Sequence, residues 1–261
     1  TEQWERAADE LQQMVSLAKT PEERRENLLI AAELYDQAGN QEKAIDTWRN
    51  YANSHPEPTD VYMEAANRLA ELYQEDGDAE SRDYWLRKQM ETVDRDPDAA
   101  DDRMRYLAAS ASAILARDAL ARYDGIRLTL PLNQSMTAKT DALERAVNAY
   151  KKTASYGLSS FATEAGYQIA HIYGRLGADL MDSERPTGLS ELELAQYELL
   201  LEEQAYPFED NAIDIHEQNI RRAREGIFDE WVKRSYEALK ALLPGRYRKE
   251  EVTQGVVYEL D

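Results

Sequence analysis

Apolar residues recur every three or four positions along most of this chain, the period of a helix with one face turned to a core. Leu28, Ala31, Ala32 and Tyr35 form one such stripe, and Ala44, Trp48 and Tyr51 form a second. The residues between the stripes predict where helices start and stop. Thr20-Pro21-Glu22-Glu23 offers an N-cap hydroxyl, a proline at the first helical position and a Glu three residues after the cap. Gly39 offers a stop, because glycine takes the left-handed C-cap conformation without strain. Pro56 ends the second stripe. The predicted unit is helix, tight turn, helix, about 34 residues long.

The unit recurs. Ala70, Tyr73 and Gly77 stand 38 residues after Ala32, Tyr35 and Gly39, and Ala170, Tyr173 and Gly177 repeat the same internal spacing. Trp48 to Pro56, Leu199 to Pro207 and Tyr236 to Pro244 are each eight residues; Ala44 to Pro56 and Ala195 to Pro207 are each twelve. Small residues suit the crossing point of two helices, and the bulky rings fill the space towards the next pair. These positions therefore describe packing, not catalysis. A helix pair that leaves one apolar face open must be covered by another pair, which predicts an all-α solenoid of about ten to twelve helices.

The offsets (small, Tyr, Gly, then Ala, aromatic, Pro) resemble the tetratricopeptide repeat, TPR. The resemblance is strong over 25–58. It is fair over 63–97, where Ser81 or Arg82 replaces the expected Ala. It is good over 163–207 with a lengthened turn after Gly177, and over 209–244 only the second helix conforms. Residues 99–157 keep helical faces around an interruption. The resemblance implies a right-handed superhelical solenoid of antiparallel helix pairs as one domain over 1–245, with an extended C-terminal tail over 246–261. It also implies a concave surface lined by the first helix of each pair. Glu26, Leu29, Glu33, Asp36 and Gln37 would come from the first pair, Glu64, Asn67, Glu71, Gln74 and Glu75 from the second, and Glu164, Tyr167, His171, Gly174 and Arg175 from a later one. The first two sets hold six acids and no base, so the expected partner is a protein presenting a basic or polar segment. The Lys/Arg and Asn clamp with which chaperone-type repeats hold a C-terminal carboxylate is missing from these positions.

Some stretches depart from the repeat. Thr1–Ala18 predicts a lone helix with Trp4, Leu11, Met14 and Val15 on one side. In Tyr123–Lys139, Ile126, Leu128, Leu130 and Leu132 alternate with Arg, Thr and Pro, the period of extended chain. Two readings stand: an extended insert near 123–139 laying its leucines on the solenoid, or a docking segment for a partner strand. Ser190 with Glu193 predicts a capping box. Near the end, "VTQGVVYEL" favours extended chain.

Charge and composition narrow the function. Lys and Arg number 31 against 51 Asp and Glu, and 31 − 51 = −20. So acidic a chain repels phosphate backbones and anionic lipid surfaces alike. There is no cysteine, which excludes disulfides, thiolate catalysis and thiolate metal sites. No uncharged apolar run approaches the roughly 18 residues of a transmembrane helix. The chain starts at Thr1, so the lack of a leader carries no information. His55 sits at a helix end, His171 on the first helix of a pair, and Asp214 and His216 form an Asp-x-His pair without further ligands at metal spacing. A satisfied or exposed role is expected for these histidines. "DRDPDAADD" at 94–102 lacks the Gly and terminal Glu of a calcium loop. No catalytic residue, metal or cofactor is expected.

From Tyr156 onwards the phrases "YGLSSFATEAGYQIAHIY", "PTGLSELELAQYELLLEEQAYPFEDNAIDIHEQN" and "GIFDEWVKRSYEALKALLPGRY" are similar to Gram-negative envelope TPR proteins that accompany TonB/ExbB/ExbD- or Tol-type motors and gliding machinery. That resemblance implies a non-enzymatic scaffold in the periplasm or at the outer membrane, with a cytoplasmic location as the alternative. Competing readings are the regulatory or substrate-binding half of a cell-envelope enzyme, and a structural homo-oligomer; the oligomeric state is not legible.

Overall fold

The structure, a computed structural model, describes residues 2–248. Among these it is all-helical, with eleven α-helices, one 3-10 turn and no strand, and the helices pack in sequential order. The chain divides into two compact units, one up to Leu115 and one from Ala116. The first holds α1 (Glu2–Leu17), α2 (Pro21–Ala38), α3 (Gln41–Ser54), α4 (Thr59–Asp76) and α5 (Ala79–Arg95). The division falls within α6 (Asp102–Asp124). The second unit continues with α7 (Leu132–Ser155), α8 (Ser159–Met181), α9 (Glu191–Arg221), a 3-10 turn (Arg222–Glu225), α10 (Glu230–Leu242) and α11 (Pro244–Tyr247). No helix among the described residues is long and apolar enough to cross a membrane. Of the expected tail, 246–248 are described and Pro244–Tyr247 forms one helical turn; 249–261 lie outside the described residues.

In the first unit the predicted punctuation is built as read. The Thr20 side chain accepts from the Glu23 amide at 3.1 Å, with Pro21 in the first turn. Gly39 and Gly77 close α2 and α4 at φ 74° and 82°, a region that costs a side-chain-bearing residue strain. Ala32, Ala44, Ala65 and Ala66 are wholly buried, which lets the helices approach, and Leu28, Trp48, Tyr51 and Leu69 fill the remaining space. α1 packs on α2 through Ala8, with Leu11 and Val15 partly buried. Trp4 and Met14 are exposed instead of joining that stripe. Asp9 accepts from the Tyr35 hydroxyl at 2.7 Å and from Lys43 at 2.8 Å, joining α1 to α2 and α3. Burial, reinforced by the Asp9 bond, pushes the Tyr35 hydroxyl up to about 12.

The second unit departs from the simple repeat at three places. The extended insert is shorter than 123–139: α6 runs to Asp124 and α7 starts at Leu132. Leu132 belongs to the helical line Leu132, Met136, Leu143, Val147, and its two-residue spacing from Leu130 only mimics a strand. Gly177, placed where Gly39 and Gly77 are stops, lies inside α8, which continues to Met181. Pro207, expected to end a helix, lies inside the 31-residue α9. The two exceptions meet. A Cβ on Gly177 would stand 3.4 Å from the Ala205 carbonyl oxygen and 3.8 Å from the Glu209 amide, the backbone flanking Pro207. Close packing on α8 thus holds both halves of α9 in line although Pro207 lacks an amide to donate. Gly166 serves the same approach, since a Cβ there would come within 2.9 Å of Asn219 Oδ1.

Lys139 is buried on the core side of α7. Its ammonium donates to the Tyr123 carbonyl at 3.0 Å and the Ile126 carbonyl at 2.8 Å, pairs with Asp179 Oδ2 at 2.9 Å, and lies 3.9 Å from the Tyr123 ring centre. It gathers the end of α6, the linker and α8 around one charge.

Candidate partner-binding groove

The first unit has a cleft of about 420 Å³ between α2, α4 and the start of α6. Leu29, Val61, Met104 and Leu107 supply its apolar surface and Trp48 adds an edge. Glu33, Asp60, Glu64 and Asp101 supply four carboxylates against one guanidinium, Arg103, so the lining carries 1 − 4 = −3. Arg103 is committed: Nε meets Glu64 Oε1 at 2.6 Å and Nη2 meets Oε2 at 2.9 Å, and these bonds raise its pKa further. Asp101 accepts from the Met104 amide at 2.7 Å at the start of α6. Glu33 and Asp60 are exposed and remain open to a ligand.

The first-unit residues expected on the concave surface fall in different places. Leu29, Glu33 and Glu64 enter the cleft. Asp36, Asn67, Glu71 and Gln74 are drawn into hydrogen bonds beside it. Arg68 Nε and Nη2 meet the two Asp36 oxygens at 2.9 and 3.0 Å, and the Trp48 indole donates to Asp36 at 2.8 Å. Arg68 also holds Glu71 at 2.9 Å, Glu71 accepts from Asn67 at 2.8 Å, and Gln74 accepts from Arg82 at 2.7 Å. The Asp36 bonds raise the Arg68 pKa further. Asp36 therefore orients Trp48 at the cleft wall, and its charge is already answered. Glu26 is exposed and does not line the cleft.

The sequence reading missed Trp48, Asp60, Val61, Asp101, Arg103, Met104 and Leu107 as lining residues. It assigned no lining set to the 99–157 stretch, whose first helix brings in the last three. A signal for Arg68 existed: an arginine about one repeat length after an aspartate on the preceding first helix.

Tyr167, His171 and Arg175 belong to the second unit. Tyr167 stacks on His171 at 5.9 Å between ring centres and contacts His216 at 5.6 Å and Trp231 at 5.5 Å, so α8, α9 and α10 meet in one aromatic cluster. His216, expected to be satisfied or exposed, is 3% exposed, and its Nδ1 has no hydrogen-bond partner among the described residues. Burial, with a smaller contribution from His171, lowers the His216 pKa to about 4; burial and then Arg175 lower that of His171. Arg175 reaches Asp179 at 4.0 Å.

Of the segment considered for docking, Leu128 is buried against Leu180, Leu201 and Ala205, with Leu132 partly buried beside it. Ile126 is partly buried against a neighbouring core cluster, and Leu130 is exposed. Three of the four side chains thus lie on the protein itself.

The chain matches no protein-family model and no curated protein.

Proposed function

We propose that the protein is a non-enzymatic protein-binding scaffold, a TPR-type right-handed superhelical solenoid whose first-unit cleft takes a basic or polar segment of a partner. The observation that carries this reading is the cleft: an apolar floor rimmed by carboxylates whose only lining cation is already bound to Glu64. An apolar surface alone would accept many segments. The uncompensated rim charge favours cationic ones and steers their approach. The paired helices closed by Gly39 and Gly77 support the repeat assignment. The resemblance of the stretch from Tyr156 onwards supports placing the scaffold in the periplasm or at the outer membrane, in a complex with an energy-transducing or motility machine.

The test begins with a photo-crosslinking side chain at position 33 in the native cell envelope, with captured proteins identified by mass spectrometry. Binding of the captured partner is then measured by surface plasmon resonance at two salt concentrations, with wild type and Glu33→Lys/Asp60→Lys. Association should slow with salt and in the double reversal, while dissociation changes less. Equal association rates in all four conditions would remove the electrostatic role of the cleft.

A further inference from the structure

The outer side of α9 carries a second apolar line that the fold does not use. Leu192, Leu199 and Tyr206 are 71%, 56% and 66% exposed. They are seven residues apart, so they project from nearly the same side, with a drift of about 20° per heptad. Ala195 lies between them on that side, and exposed Leu200 lies beside it. The opposite side of the same helix is the one that packs: Leu201 and Ala205 are buried, with Tyr197 and Phe208 partly buried against the same cluster. The core requirement of α9 is therefore met without the outer residues. One exposed leucine is ordinary, but four large apolar side chains on roughly 21 Å of one helix form a patch.

The charges around this line say what fits it. Residues 191–206 contain Glu191, Glu193, Glu198, Glu202 and Glu203 and no Lys, Arg or His. Of these glutamates, Glu198 has Arg185 at 3.8 Å, and Arg185 also donates to the carbonyls of Met181 and Ser183. A second copy of α9 would bring ten glutamates together, and an anionic membrane would be repelled for the same reason. Leucines at heptad spacing between acidic flanks are complementary to a helix with leucines at heptad spacing between basic flanks. We infer that the outer face of α9 from Leu192 to Tyr206 is a docking surface for a basic amphipathic helix of about two heptads. It belongs to the second unit and shares no residue with the first-unit cleft, so either can fail without the other.

The experiment uses a fluorescent synthetic helical peptide with Leu at heptad positions and Lys on both flanks, titrated by anisotropy against the full chain. Wild type should bind saturably, more weakly as salt rises. The variant Leu192→Gln/Leu199→Gln/Tyr206→Ser should bind about tenfold more weakly or worse, with unchanged circular dichroism because the replaced side chains are exposed. A peptide of the same composition, scrambled so that its leucines circle the helix, should not bind. Glu33→Lys/Asp60→Lys should bind like wild type. Absence of saturable binding, equal binding by the triple variant, or equal binding of the scrambled peptide would overturn the proposal. So would light scattering that shows a wild-type dimer falling to monomer in the triple variant, since a second copy would then be the occupant.

Discussion

Replacing Lys139 by Met tests whether one buried charge holds the second unit's linker in place. The side chain is 1% exposed, so its interactions are little screened. Met keeps the unbranched stem and removes two charge-assisted hydrogen bonds, to the carbonyls of Tyr123 and Ile126, and the ion pair with Asp179. Breaking a buried ion pair by deleting one partner costs about 3–5 kcal/mol when the other charge is stranded. Asp179 is 27% exposed and has Arg175 at 4.0 Å, so it recovers part of that by rehydration. The two carbonyls recover less, at about 1–2 kcal/mol each. The expected loss is about 3 kcal/mol, or roughly a hundredfold in the unfolding constant. In urea titrations followed by circular dichroism this shifts the affected transition by about 1–2 M. Asp179→Asn should cost only about 1 kcal/mol, because its position is wetter. In a double-mutant cycle the coupling should then account for the smaller part of the Lys139 effect. If Lys139→Met lies within about 0.5 kcal/mol of wild type, the ammonium does not organise the linker. If Asp179→Asn costs as much as Lys139→Met, the carbonyls contribute nothing and the account of the site is wrong.

Other outcomes follow from the same geometry. Leu128→Ser should destabilise by about 3 kcal/mol and Leu130→Ser hardly at all, because only the first is buried; equal effects in chemical denaturation would contradict the packing of the linker. Ala32→Trp should lower the melting temperature markedly, since the fully buried Ala32 has no room beside it for an indole; an unchanged melting curve would count against the helix-pair crossing. His216 has a folded pKa of about 4, below the ordinary 6.5, so between these values the unfolded chain binds more protons. Its contribution is full above pH 6.5 and is lost as pH falls towards 4, roughly 3 kcal/mol in total. His216→Leu should flatten the decline of unfolding free energy between pH 7 and pH 5, and an unchanged slope would show that His216 is not the titrating group.

Local chemistry alone determined much of the first unit. Thr20, Pro21 and Glu23 start α2, Gly39 and Gly77 end α2 and α4, and Ala32, Ala44, Trp48 and Tyr51 occupy the core that their period predicts. These signals are legible because their physics is contained in a few neighbouring residues: a hydroxyl reaching a nearby amide, or a backbone angle only glycine takes cheaply. Leu29, Glu33 and Glu64, lining positions implied by the resemblance to the repeat, do line the first-unit cleft.

Only tertiary structure decided the rest. Gly177 and Pro207 carry the same letters as the stops of the first unit, yet α8 and α9 run through both. The glycine's missing Cβ is used for close approach of another helix, and that approach outweighs the hydrogen bond Pro207 cannot make. Asp36 reads as a groove acid, but Arg68, 32 residues away, and the Trp48 indole turn it into a wall support. Lys139 reads as a polar end to an extended insert and becomes the centre of three elements. His216 reads as a satisfied or exposed histidine and is buried against the Tyr167 ring of α8, which Trp231 of α10 also contacts. Sequence period says which side of a helix is apolar; which of two apolar sides meets the core, as on α9, depends on where the neighbouring helices stand.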